Sequence, residues 1–434
     1  IASLLCGMAP SLGFLVVFRA LQGATGGGLQ PCGQAILTDA FPAEKRGMAT
    51  ALYGVAVMFA PAIGPTLGGW LTDNISWRMV FLINVPVGIL LFLLVSALVR
   101  DPPQLNEARA RLRKDGINFD YVGFGLIALG LGALQIVLDR GQEADWFGST
   151  LITILIVASV LSLIALVVWE LRRSQPIVDL RLLGNRTFAV SSGLMFMLGF
   201  MLLGSTYLIP VFVQELLGYT ATDAGLAMTP GALMMMVLMP VIGRAVTNVD
   251  VRWLIAIGLL VCGGSLLLMT SFDLTTSYNS VMLARIYQSV GLAFLFIPIN
   301  TAAFSELRPE QTTNASGLIN LWRNLGGSIG ISVASTLLTR RTQYHTSVLG
   351  AHIQTDNPAF TGAQQTLTAY FHHVIGYADA QHAMAVIAQL LAQQARLLSY
   401  LDTFSFLGVI FLALVPTVLL MRKVKGKPGV TIAH

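Results

Sequence analysis

Three arginines stand where an arginine is costly. Arg19, Arg285 and Arg323 each interrupt an apolar run long enough to cross a bilayer, and a charge at the centre of a membrane helix costs at least about 2.5–3.5 kcal/mol on insertion scales. A guanidinium keeps its proton in a protein. It is therefore a fixed positive charge, expected to face a partner or a wet cavity, to lower the proton affinity of an acid beside it, or to tie down helix ends. Arg323 is the deepest of the three. Arg19 and Arg285 lie closer to the ends of their runs, from which a long side chain can reach toward the interface. The 21 acidic residues show the opposite pattern, falling in loops or near the ends of runs, as Asp73, Asp120, Asp139, Glu170, Glu215 and Asp223 do. Deep cations without deep anions leave the membrane interior unbalanced. If the chain couples to protons, the central carboxylate is expected in helices that precede residue 1.

Around these charges stand the residues expected to line a cavity: Gln22, Gln30, Tyr53, Phe200, Tyr207, Met236, Gln288 and Asn320, together with Arg323. The stretch MTPGALMMMVLMP adds further methionines, whose flexible thioethers suit surfaces that accept varied shapes. Reaction chemistry has no comparable signal. There is no phosphate-binding loop, no HExxH and no nucleophile elbow, so neither an enzyme nor a built-in ATP motor is expected, and no cofactor is implied. Cys6, Cys32 and Cys262 all lie in apolar runs and form neither a disulfide framework nor a metal-ligand pattern. His372 and His373 are adjacent, so on a helix they point apart, and no third ligand is spaced to join them. Nothing points to nucleic acid.

The elements that must position these side chains are membrane helices. The chain has 434 residues, 55% hydrophobic and only 11% charged, with mean hydropathy +0.73; a soluble domain carries about 25% charged residues. Apolar runs of spanning length fall near 12–38, 47–71, 79–99, 120–138, 149–170, 187–212, 224–243, 253–271, 279–304, 314–338 and 402–421. That predicts eleven complete helices and a partial one at 1–8, where the chain starts as the last turns of an apolar helix. Lysines and arginines crowd alternate loops: Lys45 and Arg46, the cluster from Arg100 to Lys114, Arg172 to Arg186, Arg244 and Arg252, Arg308, and the tail from Arg422. The opposite short loops hold only Arg78 and Arg140. Positive charge marks the cytoplasmic side, so the first set and the C-terminus face the cytoplasm. Two further helices before residue 1 complete a fourteen-helix count.

Between 339 and 401 lies one long external segment, polar and Gln-rich, with five of the six histidines. Within it, AMAVIAQLLAQQARLLSYL predicts an amphipathic helix running into the last span.

The chain also repeats itself. At the offset that carries Arg19 onto Arg285, RALQ meets RIYQ, Glu44 meets Glu310, Ala49 meets Ala315, and Ile63-Gly64 meets Ile329-Gly330. The partners cross the membrane in the same direction, as in a parallel repeat whose pathway lies between two halves. In the first copy Ala56, Ala60, Gly64 and Gly68 recur every four residues, a face that lets another backbone approach; Gly326, Gly330 and Ala334 share that spacing in the second. Pro61 and Pro65 are expected to kink the helix.

These residues resemble a known family. RALQGATGGG from Arg19 resembles the fourth-helix motif of major facilitator drug exporters, and GVAVMFAPAIGPTLGGWL resembles their fifth-helix antiporter motif, with Gly54, Pro61, Gly64, Pro65, Gly68 and Gly69 in its positions. WRMVFLINVPVG and LDRGQEADWF are similar to the fourteen-helix EmrB/QacA branch of drug:proton antiporters, close to the EmrB type. The resemblance implies an all-α polytopic membrane protein of the major facilitator fold: two pseudo-symmetric six-helix bundles plus two extra helices. On that plan 1–99 is part of the N-terminal bundle, 100–118 a cytoplasmic linker, 119–172 the extra pair, 173–338 the C-terminal bundle, 339–401 a periplasmic segment, 402–421 the last helix and 422–434 a basic tail.

The resemblance further implies export of amphipathic drugs against protons across the bacterial inner membrane, by alternating access. Arg19 takes part in proton transfer, the glycine-rich seam seals the bundle interface, and a periplasmic adaptor and outer-membrane channel serve as partners. Two other readings stay open on the same residues: an exporter of one specific metabolite, such as a siderophore or peptide, and a non-transporting membrane sensor.

Overall fold

The computed structural model describes residues 1–27, 29, 33, 63–98, 120–173, 176–307, 311–353, 357–375 and 380–421. Every regular element among them is helical. In the first half these are α1 (Ala2–Gly7), α2 (Leu12–Gly26), α3 (63–74 as described), α4 (Met79–Leu82) and α5 (Asn84–Leu98). The extra pair is α6 (Tyr121–Arg140) and α7 (Thr150–Arg172). The second half holds α8 (Arg186–Glu215), α9 (Ala221–Asn248), α10 (Val251–Leu268), α11 (Tyr278–Phe304), α12 (Thr312–Gly350), α13 (Pro358–Ile375) and α14 (Ala380–Ala413). Eight helical stretches among the described residues are long and apolar enough to cross a membrane, and each overlaps a span expected from hydropathy.

The starts of these helices are written in short polar residues. A helix leaves its first N–H groups unpaired, and a preceding Asp, Asn, Ser or Thr side chain can accept from them. Asp120 accepts from the Gly123 N–H at 2.9 Å, and Asn185 from Phe188 at 3.0 Å. Thr220 and Asp223 form a reciprocal capping box at the head of α9. Once begun, the spans continue because the backbone has no other hydrogen-bond partner in lipid.

Helices α8 to α12 and α14 pack around one core. Phe212 sits toward one end of it, stacked on Phe272 and edge-on to Tyr400 and Phe404. Glycines set the distances. Gly263 of α10 and Gly408 of α14 face each other, a Cβ on either meeting the other's carbonyl oxygen at 3.1 Å. By contrast α5 buries no residue among those described, and its row of exposed Val, Ile, Leu and Phe suits a lipid-facing surface.

The extra pair is a hairpin, closed by Ser159 donating to the Gly130 carbonyl at 2.8 Å. Asp120 ties the base of α6 to α7, accepting from the Trp169 indole at 3.1 Å and pairing with Arg173 at 3.2 Å. Burial opposes the Asp120 charge, but the Gly123 and Trp169 hydrogen bonds and the Arg173 guanidinium hold its carboxyl below the usual range. Ser332 of α12 donates to the Leu138 carbonyl at 2.8 Å and fastens the hairpin to the second bundle.

The segment after residue 338 is richer in structure than the single amphipathic helix expected there. Helix α12 continues without a break to Gly350, α13 follows, and α14 runs from Ala380 into the last span as far as Ala413. Asp402 of α14 accepts from His345 at 2.8 Å and pairs with Arg341 at 3.1 Å, both on the α12 extension. The last span itself changes form: Pro416, which lacks an N–H, falls at the start of a 3-10 stretch, Val415–Leu420.

Candidate functional site

The repeated Arg-x-x-Gln places two side chains one helical turn apart, so they meet on one face. In α2 the Arg19 Nη1 donates to Gln22 Oε1 at 2.9 Å, and in α11 the Arg285 Nη1 donates to Gln288 Oε1. The two halves thus carry the same hydrogen bond at matching positions. Their surroundings differ. Gln22 donates onward to Ser3 of α1 at 2.7 Å, and the Arg19 guanidinium lies over the Phe81 ring at 4.8 Å. Arg285 is buried, reaching Ser205 and Thr206 of α8 at 3.4 Å. Gln288 is fully buried, and its Nε2 has no partner.

Arg323 lies half-buried on α12, its guanidinium 6.0 Å from the Phe296 ring centre. Around it runs the tightest backbone approach of the second bundle, between α8 and α12. A Cβ on Gly199 would collide with the Arg323 carbonyl, one on Gly326 with that of Phe196, and one on Gly330 with that of Phe200. No side chain larger than hydrogen fits at these three positions unless a helix backbone shifts.

A second backbone approach joins the halves. A Cβ on Gly225 of α9 would collide with the Pro65 carbonyl of α3, and one on Gly69 with the Ala221 carbonyl. The Thr66 and Thr229 hydroxyls meet at 2.5 Å. Beyond them Asp73 accepts from the Thr222 N–H at 2.7 Å and its hydroxyl at 2.6 Å. These hydrogen bonds hold the Asp73 carboxyl below the usual carboxylate range. Within the antiporter stretch the contact falls on Pro65, Thr66 and Gly69. A Cβ on Gly64 or Gly68 would meet no atom within 4 Å, so of the stripe read from the sequence these two glycines are not where α3 touches α9; Ala56 and Ala60 lie outside the described residues.

The remaining expectations divide. Phe200 is buried in the α8–α12 seam and Tyr207 is half-buried one to two turns further on. Met236 is half-buried on α9. Asn320 is exposed and donates to the Ser316 carbonyl of its own helix. Gln30, Tyr53, Gly54 and Pro61 lie outside the described residues. Sequence reasoning missed the hydroxyls of Ser205 and Thr206, which look like packing in a thirty-residue apolar helix, and gave Arg285 no role although the repeat already aligned it with Arg19.

Two halves with matched polar pairs, glycine seams within and between them, and spanning helices throughout define a multi-pass membrane protein of transporter architecture. The Major Facilitator Superfamily model matches residues 1–331. The chain is 36% identical to the multidrug export protein EmrB of Haemophilus influenzae, over 94% of this chain and 79% of that one. It is 36% identical to EmrB of Escherichia coli, over 99% and 81%. Among solved structures, an inward-facing bacterial homologue of the human lysosomal transporter Spinster superposes with TM-score 0.56 at 16% identity, covering 96% of this chain and 79% of that one. The chain belongs to the Major Facilitator Superfamily, among its EmrB-like members.

Proposed function

We propose that this protein exports amphipathic drugs across the bacterial inner membrane in exchange for protons, by alternating access between its two bundles. The observation that carries the reading is the Arg19–Gln22 pair, a fixed cation held on a neutral amide in one half and duplicated in the other. A cation so placed lowers the proton affinity of an acid that approaches it and raises it on withdrawal, which is what exchange of a proton for cargo requires. The names of the EmrB relatives support drug export.

In this reading the α3–α9 contact seals the outer end of the pathway. Pro65 and Gly69 bring the backbones together, and Asp73 latches onto the head of α9. Opening outward breaks the Asp73–Thr222 hydrogen bonds. Helix α13 and the extensions of α12 and α14 are where a periplasmic adaptor, leading to an outer-membrane channel, docks. The driving force is the proton gradient plus the membrane potential, the latter contributing about 2.3 kcal/mol per charge per 100 mV.

The test is drug accumulation in inverted membrane vesicles. Energised vesicles are expected to concentrate a fluorescent lipophilic drug and to release it when an uncoupler collapses the gradient. Accumulation that is absent, or indifferent to the uncoupler, overturns the proposal.

A further inference from the structure

The base of the α6–α7 hairpin holds two buried acids, and only one of them is answered. Asp120 accepts from the Gly123 N–H at 2.9 Å and from the Trp169 indole at 3.1 Å, and it pairs with Arg173 at 3.2 Å. Glu170 of α7 is 1% exposed, and neither of its carboxyl oxygens receives a hydrogen bond. The backbone N–H groups of Ile177 and Val178, in the strap that follows α7, come near it without completing one. Buried polar groups ordinarily find a partner, and no other glutamate among the described residues is buried.

A glycine brings the two acids together. A Cβ on Gly123 would stand 2.8 Å from Asp120 Oδ2 and 2.9 Å from Glu170 Oε1, so both carboxyls press on one bare stretch of α6 backbone. The surrounding charges are engaged elsewhere. Arg173 acts on both acids, but its ion pair is with Asp120. Arg181, on the 3-10 turn Leu180–Gly184, donates to the Leu171 and Arg173 carbonyls at 2.8 and 3.0 Å, and Asp179 caps that turn. Tyr121 and Arg172 are exposed. A buried carboxylate with no donor, set beside a second carboxylate, is opposed twice, by the loss of water and by the like charge. A carboxylic acid in the same place carries no charge and brings a donor of its own.

We propose that Glu170 is a proton-binding site, its carboxyl held as the neutral acid at neutral pH beside an ionised Asp120. Gly123 is what admits both groups. The site lies outside the bundle helices that carry the Arg-x-x-Gln pairs, at the strap 176–184 through which the hairpin runs into α8. It stands apart from Arg19 and does not rest on the exporter reading.

The experiment is infrared spectroscopy of the full chain in phosphatidylcholine nanodiscs, with and without heavy-isotope carbon in the glutamate side-chain carboxyls. The carbonyl stretch of an un-ionised carboxylic acid is expected at neutral pH, shifted by the label and lost in Glu170→Gln. It is expected to vanish as the pH is raised. Asp120→Asn removes the like charge and is expected to move that loss to lower pH. Labelled wild type with no such band at neutral pH overturns the proposal, as does a band that survives Glu170→Gln. If that variant does not fold, the label shift in the wild type decides, because Glu170 is the one buried glutamate among the described residues. An unmoved titration in Asp120→Asn overturns the pairing of the two acids.

Thermal unfolding supplies an independent sign. A proton held by the folded chain and released by the unfolded one makes stability fall as the pH rises. Glu170→Gln is uncharged throughout, so it is expected to match the wild type in mild acid and to exceed it in alkali. A wild type that gains on the variant as the pH rises would make Glu170 a structural carboxylate and overturn the proposal.

Discussion

Arg19 and Arg285 hold the same hydrogen bond in the two halves, yet only Arg19 sits beside a half-exposed neighbour set, with an aromatic ring over its guanidinium. The two arginines thus share a hydrogen bond and differ in burial, Arg285 being buried against α8. At this scale Asp73 gives a pH prediction with a definite sign. Its carboxyl is held below the ordinary range by the Thr222 hydroxyl and N–H. A depressed folded-state value means the stabilisation is present above the unfolded-state value and is lost as pH falls through the lowered one. Thermal unfolding of wild type and Asp73→Asn should therefore differ at neutral pH and converge only in strong acid. A difference that grows as the pH falls would contradict the account. The Arg-x-x-Gln pairs were legible as a repeat because their spacing is fixed by one helical turn. The Asp73–Thr222 latch was not, because nothing in an aspartate at the end of an apolar run announces a partner 149 positions away.

Elements make the clearest predictions about stability. The α8–α12 seam has no room at Gly199, Gly326 or Gly330, where a methyl would strike backbone and not a movable side chain. Overpacking a tight core costs about 1–3 kcal/mol, so Gly326→Ala and Gly330→Ala should each lower the unfolding temperature in detergent by several degrees. Gly317→Ala on the same helix meets no atom within 4 Å and should be neutral or slightly stabilising, since alanine is the better helix former. A sequence alone shows that small residues recur every four positions, but not which face meets a neighbour. The second-half stripe at Gly326 and Gly330 meets α8 of its own bundle, whereas the described contact of α3 with α9 of the other half falls on Pro65, Thr66 and Gly69. Spans were legible because lipid demands long apolar helices. The continuation of α12 to Gly350 and the presence of α13 were not, because outside the membrane a polar, Gln-rich stretch carries little hydropathy signal.

For the whole molecule, the charge placement predicts sidedness. With native cysteines replaced, Glu143→Cys should react with a membrane-impermeant maleimide added to intact cells, and Gly184→Cys only after the cells are opened; the reverse pattern would invert the topology and with it the outer position of the α3–α9 seal. The central claim is that movement of drug and movement of protons are one process routed past Arg19. The direct measurement uses inverted vesicles carrying a pH dye, an imposed proton gradient, and several lipophilic cations and weak acids added in turn, with wild type and Arg19→Ala compared at equal insertion. The account predicts proton release on addition of substrate in the wild type and its loss in Arg19→Ala. Correctly inserted wild-type protein that moves no protons for any compound would contradict the antiporter, and release that survives Arg19→Ala would contradict the role given to that residue.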